Sequence, residues 1–182
     1  PKLALQGDRL AVHARHAVHL YERGPSGWSS IGQISLPDWG GFFQGTVAID
    51  GDSLMASTDV ATHLYDWGVS TPLDTVPNVI GTDLDQGHLV GRTDDGFDAF
   101  VVSPAGAAPT TSFTGRTVAL DGERLFVSHD DGIVTIHEFA GGAWNEIDSL
   151  DVGVTPDLLG AHSEWFTLAS AWPDAPELRF YR

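Results

Sequence analysis

Histidine is the commonest metal ligand among side chains, and three histidines lie close together near the amino terminus. His13, His16 and His19 are spaced three residues apart around the first predicted hairpin. A three-residue step along a strand sends side chains to opposite faces, so these imidazoles converge only if the turn folds them together. No group of His, Cys and carboxylate residues has the spacing of a known zinc site. We therefore expect no metal site. We interpret His19 and His63, which each precede a Leu, as packing residues.

Acidic side chains are the second candidate for chemistry, because the chain has 25 Asp and Glu residues against 9 Lys and Arg residues. The segments DLDQG from Asp83 and RTDDGFD from Arg92 gather several acids, but neither has the ligand spacing of a calcium loop. No G-x-S-x-G, H-E-x-x-H or phosphate-binding glycine motif occurs. We expect neither a cofactor nor catalysis. A glycosidase that uses two carboxylates stays open as an alternative, since acids this abundant carry little information.

The overall charge and the lack of cysteine narrow the class of partner and the environment. A formal net charge of −16 repels nucleic acid and anionic lipid, and leaves basic proteins, cations and neutral glycans as ligands. No apolar run reaches the roughly 18 residues needed to cross a bilayer, so we expect no membrane insertion. From the start at Pro1 we expect a processed product or a piece of a longer protein. The acidic, cysteine-free composition favours a bacterial extracellular or cell-surface protein.

One short phrase recurs along the chain and predicts its architecture. It joins two apolar strands through a Gly-containing turn. The apolar or aromatic residues that end successive copies are 44, 35, 36 and 40 positions apart. The copies are Leu5-Gln6-Gly7-Asp8-Arg9-Leu10, Ile49-Asp50-Gly51-Asp52-Ser53-Leu54, Leu84-Asp85-Gln86-Gly87-His88-Leu89, Leu120-Asp121-Gly122-Glu123-Arg124-Leu125, and a degraded copy near Leu159 to Trp165. A period of about 35 to 45 residues is typical of propellers and helical arrays. Since the apolar residues alternate in short groups between turn residues, the repeat predicts strands.

Within each unit we predict four antiparallel strands, named a, b, c and d in chain order. In the fourth unit they cover 117–120, 125–128, 133–139 and 144–150, and Asp-Gly pairs mark the a–b and b–c turns. We expect each of these Asp side chains to bond the backbone of its own turn. Four strands repeated about five times predict an all-β β-propeller, with a solenoid of hairpins as the competing geometry. The expected blades, all in one domain, are approximately 1–45, 46–80, 81–115, 116–152 and 153–182.

The fifth unit has no predicted fourth strand after Phe180-Tyr181. The segment before Leu5 is too short to supply that strand and also to begin the first blade. Two alternatives follow. One is a compact five-bladed ring with a three-stranded last blade, which we prefer, and the other is part of a larger ring that further residues or another chain complete. An open arc would leave apolar blade faces exposed, which soluble monomers avoid.

Two copies of the repeat carry a family resemblance. FQGTVAIDGDSL from Phe43 and FTGRTVALDGERLFVS from Phe113, each leading into an apolar strand, resemble the FG-GAP repeats of bacterial secreted and surface propellers. That family is similar to the blades of integrin α-subunits. The resemblance implies a non-catalytic propeller for adhesion, assembly or ligand display, in which Phe43 and Phe113 wedge between blades. The calcium loop of the family's metal-binding blades has no counterpart here.

The b–c turns and d–a loops of a propeller emerge on one face, where we place the candidate binding residues. These are Trp39, Phe42, Asp94, Asp95, His129, Asp130, Asp131, Trp172 and Asp174. The acids would select a basic or metal-bearing ligand, and the aromatic side chains would anchor a protein partner. A lectin-like function, in which Trp39 and Trp172 stack on a sugar ring, is the alternative. For the Asp residues, backbone bonding within hairpin turns is the competing explanation.

Overall fold

A computed structural model describes residues 2–14, 16–36, 45–156, 158–162, 165–170 and 177–181. Over these residues the chain forms 19 β-strands and no helix. The strands pair antiparallel into five sheets, four of four strands and one of three. Gly and Asp at the predicted turns interrupt the apolar runs, and short strands joined as hairpins are the result. The protein is therefore all-β, as the repeat predicts.

Each sheet is one blade, and its strands lie in chain order. Blade 1 contains β1 (Lys2–Gln6), β2 (Arg9–Ala14), β3 (Ala17–Gly24) and β4 (Gly27–Ser35), and blade 2 contains β5 (Val47–Asp50), β6 (Ser53–Ser57), β7 (Ala61–Asp66) and β8 (Asp74–Pro77). Blade 3 contains β9 (Ile80–Asp85), β10 (His88–Arg92), β11 (Phe97–Ser103) and β12 (Gly106–Phe113). Blade 4 contains β13 (Thr117–Asp121), β14 (Arg124–Ser128), β15 (Ile133–Ala140) and β16 (Ala143–Asp151), and blade 5 contains β17 (Leu158–His162), β18 (Trp165–Ser170) and β19 (Glu177–Tyr181). The strands predicted for the fourth unit agree with β13 to β16 to within one residue at each end.

The first strands of the five sheets lie side by side and form the centre of the molecule. β1 packs along β5, β5 along β9, β9 along β13, and β13 along β17. The sheets therefore radiate in chain order from a shared inner layer, which is the arrangement of a five-bladed β-propeller. No comparable packing joins β1 to β17 in the part of the chain that the structure describes.

Apolar clusters between consecutive blades hold the sheets together. Between blades 1 and 2, for example, Val18 and Leu20 pack with Val47, Ile49 and Tyr65. Similar clusters lie between blades 2 and 3, 3 and 4, and 4 and 5. Burying one Val, Leu or Ile side chain contributes about 1.5–3 kcal/mol. Because each cluster draws on two blades, the hydrophobic stabilisation of a blade depends on its neighbour.

The Phe-x-Gly motif of the two repeat copies has a steric explanation at its glycine. A Cβ on Gly115 would lie 2.9 Å from the Ser128 carbonyl oxygen, and one on Gly45 would lie 2.4 Å from the Ser57 carbonyl oxygen. Beside Gly115, the Ser128 hydroxyl accepts a hydrogen bond from the Thr117 N–H at 3.2 Å. The motif therefore brings the start of strand a into close contact with strand b of the same blade.

The aromatic residue of the motif packs between blades, as the resemblance implies. Phe113, at the end of β12 in blade 3, packs into the cluster shared with blade 4. Its ring lies edge-on to His137 of blade 4, with 4.9 Å between the ring centroids. Phe43, the corresponding residue of the earlier copy, lies outside the described residues.

Side chains at the ends of the inner strands hydrogen-bond to the a–b turn of the next blade, a partner that turn chemistry within one hairpin does not predict. The bonds join Gln6 Oε1 to the Gly51 N–H (2.8 Å), Asp50 Oδ2 to the Gly87 N–H (2.7 Å), and Asp85 Oδ2 to the Gly122 N–H (2.6 Å). In each case the donor is a glycine in the a–b turn of the following blade. Own-turn bonding holds for Asp131, whose Oδ1 accepts the Ile133 N–H at 3.1 Å. The repeated residue at the end of strand a therefore ties adjacent blades together.

The two ends of the row of blades differ from its interior. Leu3 and Leu5 on β1 are 67% and 66% exposed, and Leu178 and Phe180 on β19 are 62% and 65% exposed. Closing the five blades into a ring would bring β1 and β17 together and cover these side chains. An arc with two uncovered ends therefore fits the structure better than the closed five-bladed ring that the sequence favoured.

Candidate interaction surfaces

Four of the predicted binding acids project from one rim of the propeller. Asp94 and Asp95 lie in the β10–β11 turn of blade 3, and Asp130 and Asp131 lie in the β14–β15 turn of blade 4. All four side chains are exposed. Because both segments are b–c turns of adjacent blades, they emerge on the same rim. We call the surface formed by these four residues the acidic turn face.

Hydrogen bonds within the blade 4 turn hold its acids in place. The His129 N–H donates to the Ile133 carbonyl at 2.8 Å, and Asp131 accepts the Ile133 N–H. Asp130 Oδ1 lies 3.4 Å from Arg116 Nη1, but the Asp130 side chain is 87% exposed. An ion pair this exposed contributes at most about 1 kcal/mol. The turn is therefore well defined, and the Asp130 carboxylate is still accessible to a partner.

His129 is tied to the blade surface as well as to the turn. Its Nε2 lies 3.1 Å from the Thr135 hydroxyl, which also lies 3.0 Å from Nε2 of His137. Burial lowers the pKa of His137 and so favours its neutral form. One hydroxyl thus connects the two imidazoles, and this bonding gives His129 a structural role in addition to any contact with a ligand.

Asp94 and Asp95 line two different clefts. Asp94 borders a cleft of about 280 Å³ between blades 2 and 3, together with Asp59, Val60, Asn78, Ile80, Arg92 and Thr93. Asp95 borders a second cleft of about 400 Å³ on blade 3, which includes Phe97, Asp98 and Phe113. Both clefts combine carboxylates with apolar side chains. Such a combination suits a ligand that has a positive charge next to apolar groups.

The remaining predicted site residues are Trp39, Phe42, Trp172 and Asp174, which lie outside the described residues. The aromatic part of the predicted face, and with it the lectin alternative, stays a prediction from sequence. Over the described ranges, no three His, Asp or Glu side chains are grouped closely enough to hold a metal ion. The same ranges contain no helix with the length and apolarity that crossing a bilayer requires.

Blade 1 carries an apolar face that the sequence reasoning did not single out. Leu5 pairs with Leu10, the first Leu of strand b, and its side chain is exposed. The residues at the same position in other blades are only 3–8% exposed. These equivalents are Ile49, Leu84 and Leu120, whereas Leu159 of blade 5 corresponds in register to Leu3. Leu3 likewise corresponds to the buried Val47 and Val118. The equivalents pack against the preceding blade, so we call Leu3 and Leu5 the first end face.

Blade 5 carries the complementary apolar face on β19. Phe180 corresponds in pairing register to Leu20, Leu64 and Ala99, which are at most 2% exposed, and to Ile136 of blade 4, which is partly buried. Leu178 corresponds to Val18, Thr62, Phe97 and Val134, which are at most 4% exposed. We call Leu178 and Phe180 the second end face. The repeat register in the sequence is sufficient to identify both end faces, because it marks which positions the interior blades bury.

A groove of about 430 Å³ lies beside β19, between blades 4 and 5. Its lining is mainly apolar and comprises Phe126, Ile136, Ile147, Leu150, Phe166 and Tyr181, with Arg124, Asp148 and Ser149 at its polar side. Phe166 stacks on Tyr181 with 4.8 Å between the ring centroids. In the other four blades a strand d pairs with strand c, whereas no described strand pairs with the outer edge of β19. The outer side of blade 5 is therefore less covered than that of its sister blades.

Two titratable side chains, the half-buried Asp83 and the buried His88, lie at the contact between blades 3 and 4. Desolvation raises the pKa of Asp83, although its carboxylate accepts N–H hydrogen bonds from Leu84 (3.0 Å) and Leu120 (3.3 Å). Desolvation lowers the pKa of His88, whose ring lies 4.5 Å from Phe139 and 5.2 Å from Trp144 between centroids. Asp83 and Asp85, the acids of the DLDQG segment, thus bond to backbone N–H groups of blade 4.

No protein-family model matches the sequence, and a search of curated proteins finds no match. Solved structures do match. A chain of the mitotic checkpoint complex aligns with 99% of this chain at a TM-score of 0.73 and 14% identity, and a chain in a structure of Saccharomyces cerevisiae Dbp5 bound to Nup159 aligns with 98% at 0.63 and 13%. A putative 6-phosphogluconolactonase from Bacteroides fragilis aligns with 92% at 0.62 and 14%. Identities this low show the fold alone, and the alignments span only 62%, 56% and 62% of those chains.

Proposed function

We propose that this β-propeller is a non-catalytic protein-interaction scaffold, and that its acidic turn face binds a basic segment of a partner protein. The observation that carries the proposal is the placement of four exposed carboxylates on adjacent b–c turns, beside two clefts that also contain apolar side chains. A Lys- or Arg-rich segment would pair with the carboxylates and place its aliphatic stems in the clefts.

The fold and its neighbours support a binding role. Two of the matching structures are complexes of several proteins, and propellers present turns from many blades on one rim. The acids of the DLDQG segment, Asp83 and Asp85, are engaged in backbone hydrogen bonds between blades, which is a structural use of carboxylates. We therefore propose binding rather than glycoside hydrolysis.

We also propose an adhesive or assembly role for the propeller, at a bacterial cell surface or outside the cell. The close contacts of Gly115 and the packing of Phe113 support the similarity to FG-GAP repeats, and with it an adhesive or assembly role at a bacterial cell surface or outside the cell. The low Lys and Arg content and the absence of Cys agree with that location.

A matched pair of charge variants tests the binding proposal with a fluorescent octa-lysine peptide as the probe. The first variant combines Asp94→Asn, Asp95→Asn, Asp130→Asn and Asp131→Asn. The control variant combines Asp8→Asn, Asp66→Asn, Glu123→Gln and Glu146→Gln, which are exposed acids away from that face, three at the opposite rim and Glu146 on outer strand β16. Both variants remove four negative charges, so long-range attraction changes equally. The proposal predicts a Kd at least about fivefold weaker for the first variant than for the control, and equal weakening would contradict it.

A further inference from the structure

We propose that the two end faces are blade–blade interfaces, and that further four-stranded blades of the same repeat type dock on them to complete a larger ring. Assembly of the propeller does not depend on what the acidic turn face binds. The repeat register allows the same positions to be compared in five blades.

The second end face has the same kind of apolar side chains as the contacts between blades, but no described blade packs against it. In blade 2, Leu64 occupies the register position of Phe180, and it packs against Leu84 and Leu89 of blade 3. In blade 1, Val18 occupies the position of Leu178 and packs against Val47 and Ile49 of blade 2. Four consecutive interfaces thus use this side of strand c to receive the next blade. Leu178 and Phe180 continue that series with side chains of the same class.

The first end face corresponds to the other half of an inter-blade contact. Val47 and Ile49 of blade 2 pack back onto blade 1, and Leu3 and Leu5 occupy the same positions in blade 1. Each end of the arc therefore presents one half of the interface that the interior repeats four times. A blade of this repeat type carries the complementary half for either end.

The edge of β19 and the adjacent groove indicate how the next segment begins. An extended strand that pairs with β19 would occupy the place of strand d and complete the fourth strand of blade 5. Alternate side chains of that strand would enter the apolar groove lined by Ile136, Ile147 and Tyr181. In blade 4 the corresponding strand does this with Trp144, which is buried against Val90 and Phe97 of blade 3.

The size of the gap favours additional blades over a second copy of this chain. The arc aligns over 92–99% of its length with parts of longer chains, so its curvature is that of their propellers. In each of these chains the matched part, 56–62%, is longer than the part left unmatched. A whole second arc is therefore too long for the remaining space, whereas a shorter set of blades fits.

A fusion and a double substitution test the proposal together. The fusion adds a second copy of residues 67–152 after residue 182, which supplies strand d (β8) for blade 5 and then the complete blades 3 and 4. The substitutions Leu178→Lys and Phe180→Lys are made in the original chain and in the fusion. Melting temperature and fluorescence of the apolar dye ANS are measured for all four proteins, and light scattering gives their masses.

The proposal predicts that the fusion melts more than about 5 °C above the original chain and binds less ANS, because the end face is buried. The two Lys substitutions should leave the melting of the original chain unchanged, since both side chains are exposed, and should abolish the gain in the fusion. A fusion that gains nothing, or a gain that survives the Lys substitutions, would overturn the proposal. A dimeric original chain that the Lys substitutions convert to a monomer would also overturn it, in favour of self-association.

Discussion

Removing one of the hydrogen bonds between successive a–b turns should weaken the whole propeller. Asp85 Oδ2 accepts the Gly122 N–H at 2.6 Å, and Gly122 is buried, so Asp85→Ala leaves a buried donor without its acceptor. A hydrogen bond to a charged group contributes about 1.5–3 kcal/mol. Asp85 is only half-buried, so we take the lower end, about 1.5 kcal/mol. For a chain of this length that corresponds to a fall in melting temperature of about 3–6 °C.

Thermal unfolding followed by circular dichroism measures this effect against two comparison variants. Asp85→Asn keeps an acceptor oxygen but loses the charge, so its melting temperature should lie between those of the original chain and Asp85→Ala. Asp95→Ala removes an exposed turn acid on the opposite rim and should change stability by less than about 0.5 kcal/mol. If Asp85→Ala and Asp95→Ala shift the melting temperature equally, the bond between blades does not contribute as we infer.

Three further predictions concern the buried groups and the close contacts. Burial lowers the pKa of His88 below 6.5, so the unfolded state takes up a proton first and stability must fall as the pH drops below about 6.5. His88→Leu should reduce that loss in denaturant titrations at pH 5 and pH 8, and an unchanged difference would argue against it. Burial raises the pKa of Asp83 above 3.8, so the folded protein holds this proton more tightly than the unfolded chain does. The resulting contribution to stability is present below pH 3.8 and is lost as the pH rises through the pKa of the folded state. Asp83→Asn should therefore raise the melting temperature at pH 7 but not at pH 3.5, and a loss at pH 7 would show that the charged form is favoured. Gly115→Ala places a Cβ 2.5 Å from a Val127 methyl group and should lower the free energy of unfolding by about 1–3 kcal/mol. In the control Gly24→Ala the added Cβ meets no atom within 4 Å, so stability should be nearly unchanged. Equal unfolding midpoints of the two variants in urea would refute the close contact at Gly115.

The blade architecture could be predicted from the sequence because local patterns determine it. The Asp121-Gly122 and Asp131-Gly132 pairs mark hairpin turns, and the strands between them appear as β13 to β16. Turn chemistry and alternation of apolar residues depend on neighbours in the sequence, and these are visible without a structure. The same information placed Asp94 and Asp130 correctly on the b–c turns of adjacent blades.

Features that depend on the neighbouring blade were not predictable in the same way. Asp50 and Asp85 bond glycines 37 residues ahead, a partner that turn rules within one hairpin do not suggest. Asp83 occupies a position where Ala48 and Ala119 pack in other blades, and its desolvation follows from the contact with blade 4. The choice between a closed ring and part of a larger ring depends on the angle between blades, which composition and spacing do not specify.

Thiol accessibility at the ends of the arc tests the central claim most directly, because the chain contains no cysteine and each introduced thiol reports on one position. Leu5→Cys and Phe180→Cys probe the two end faces, and Ile49→Cys probes the interior position that corresponds to Leu5. Reaction with a water-soluble maleimide is followed on monomeric protein. An open arc predicts that the thiols at positions 5 and 180 react at the rate of the unfolded chain, while the thiol at position 49 is protected. Equal protection of all three thiols would show that the five blades close into a ring.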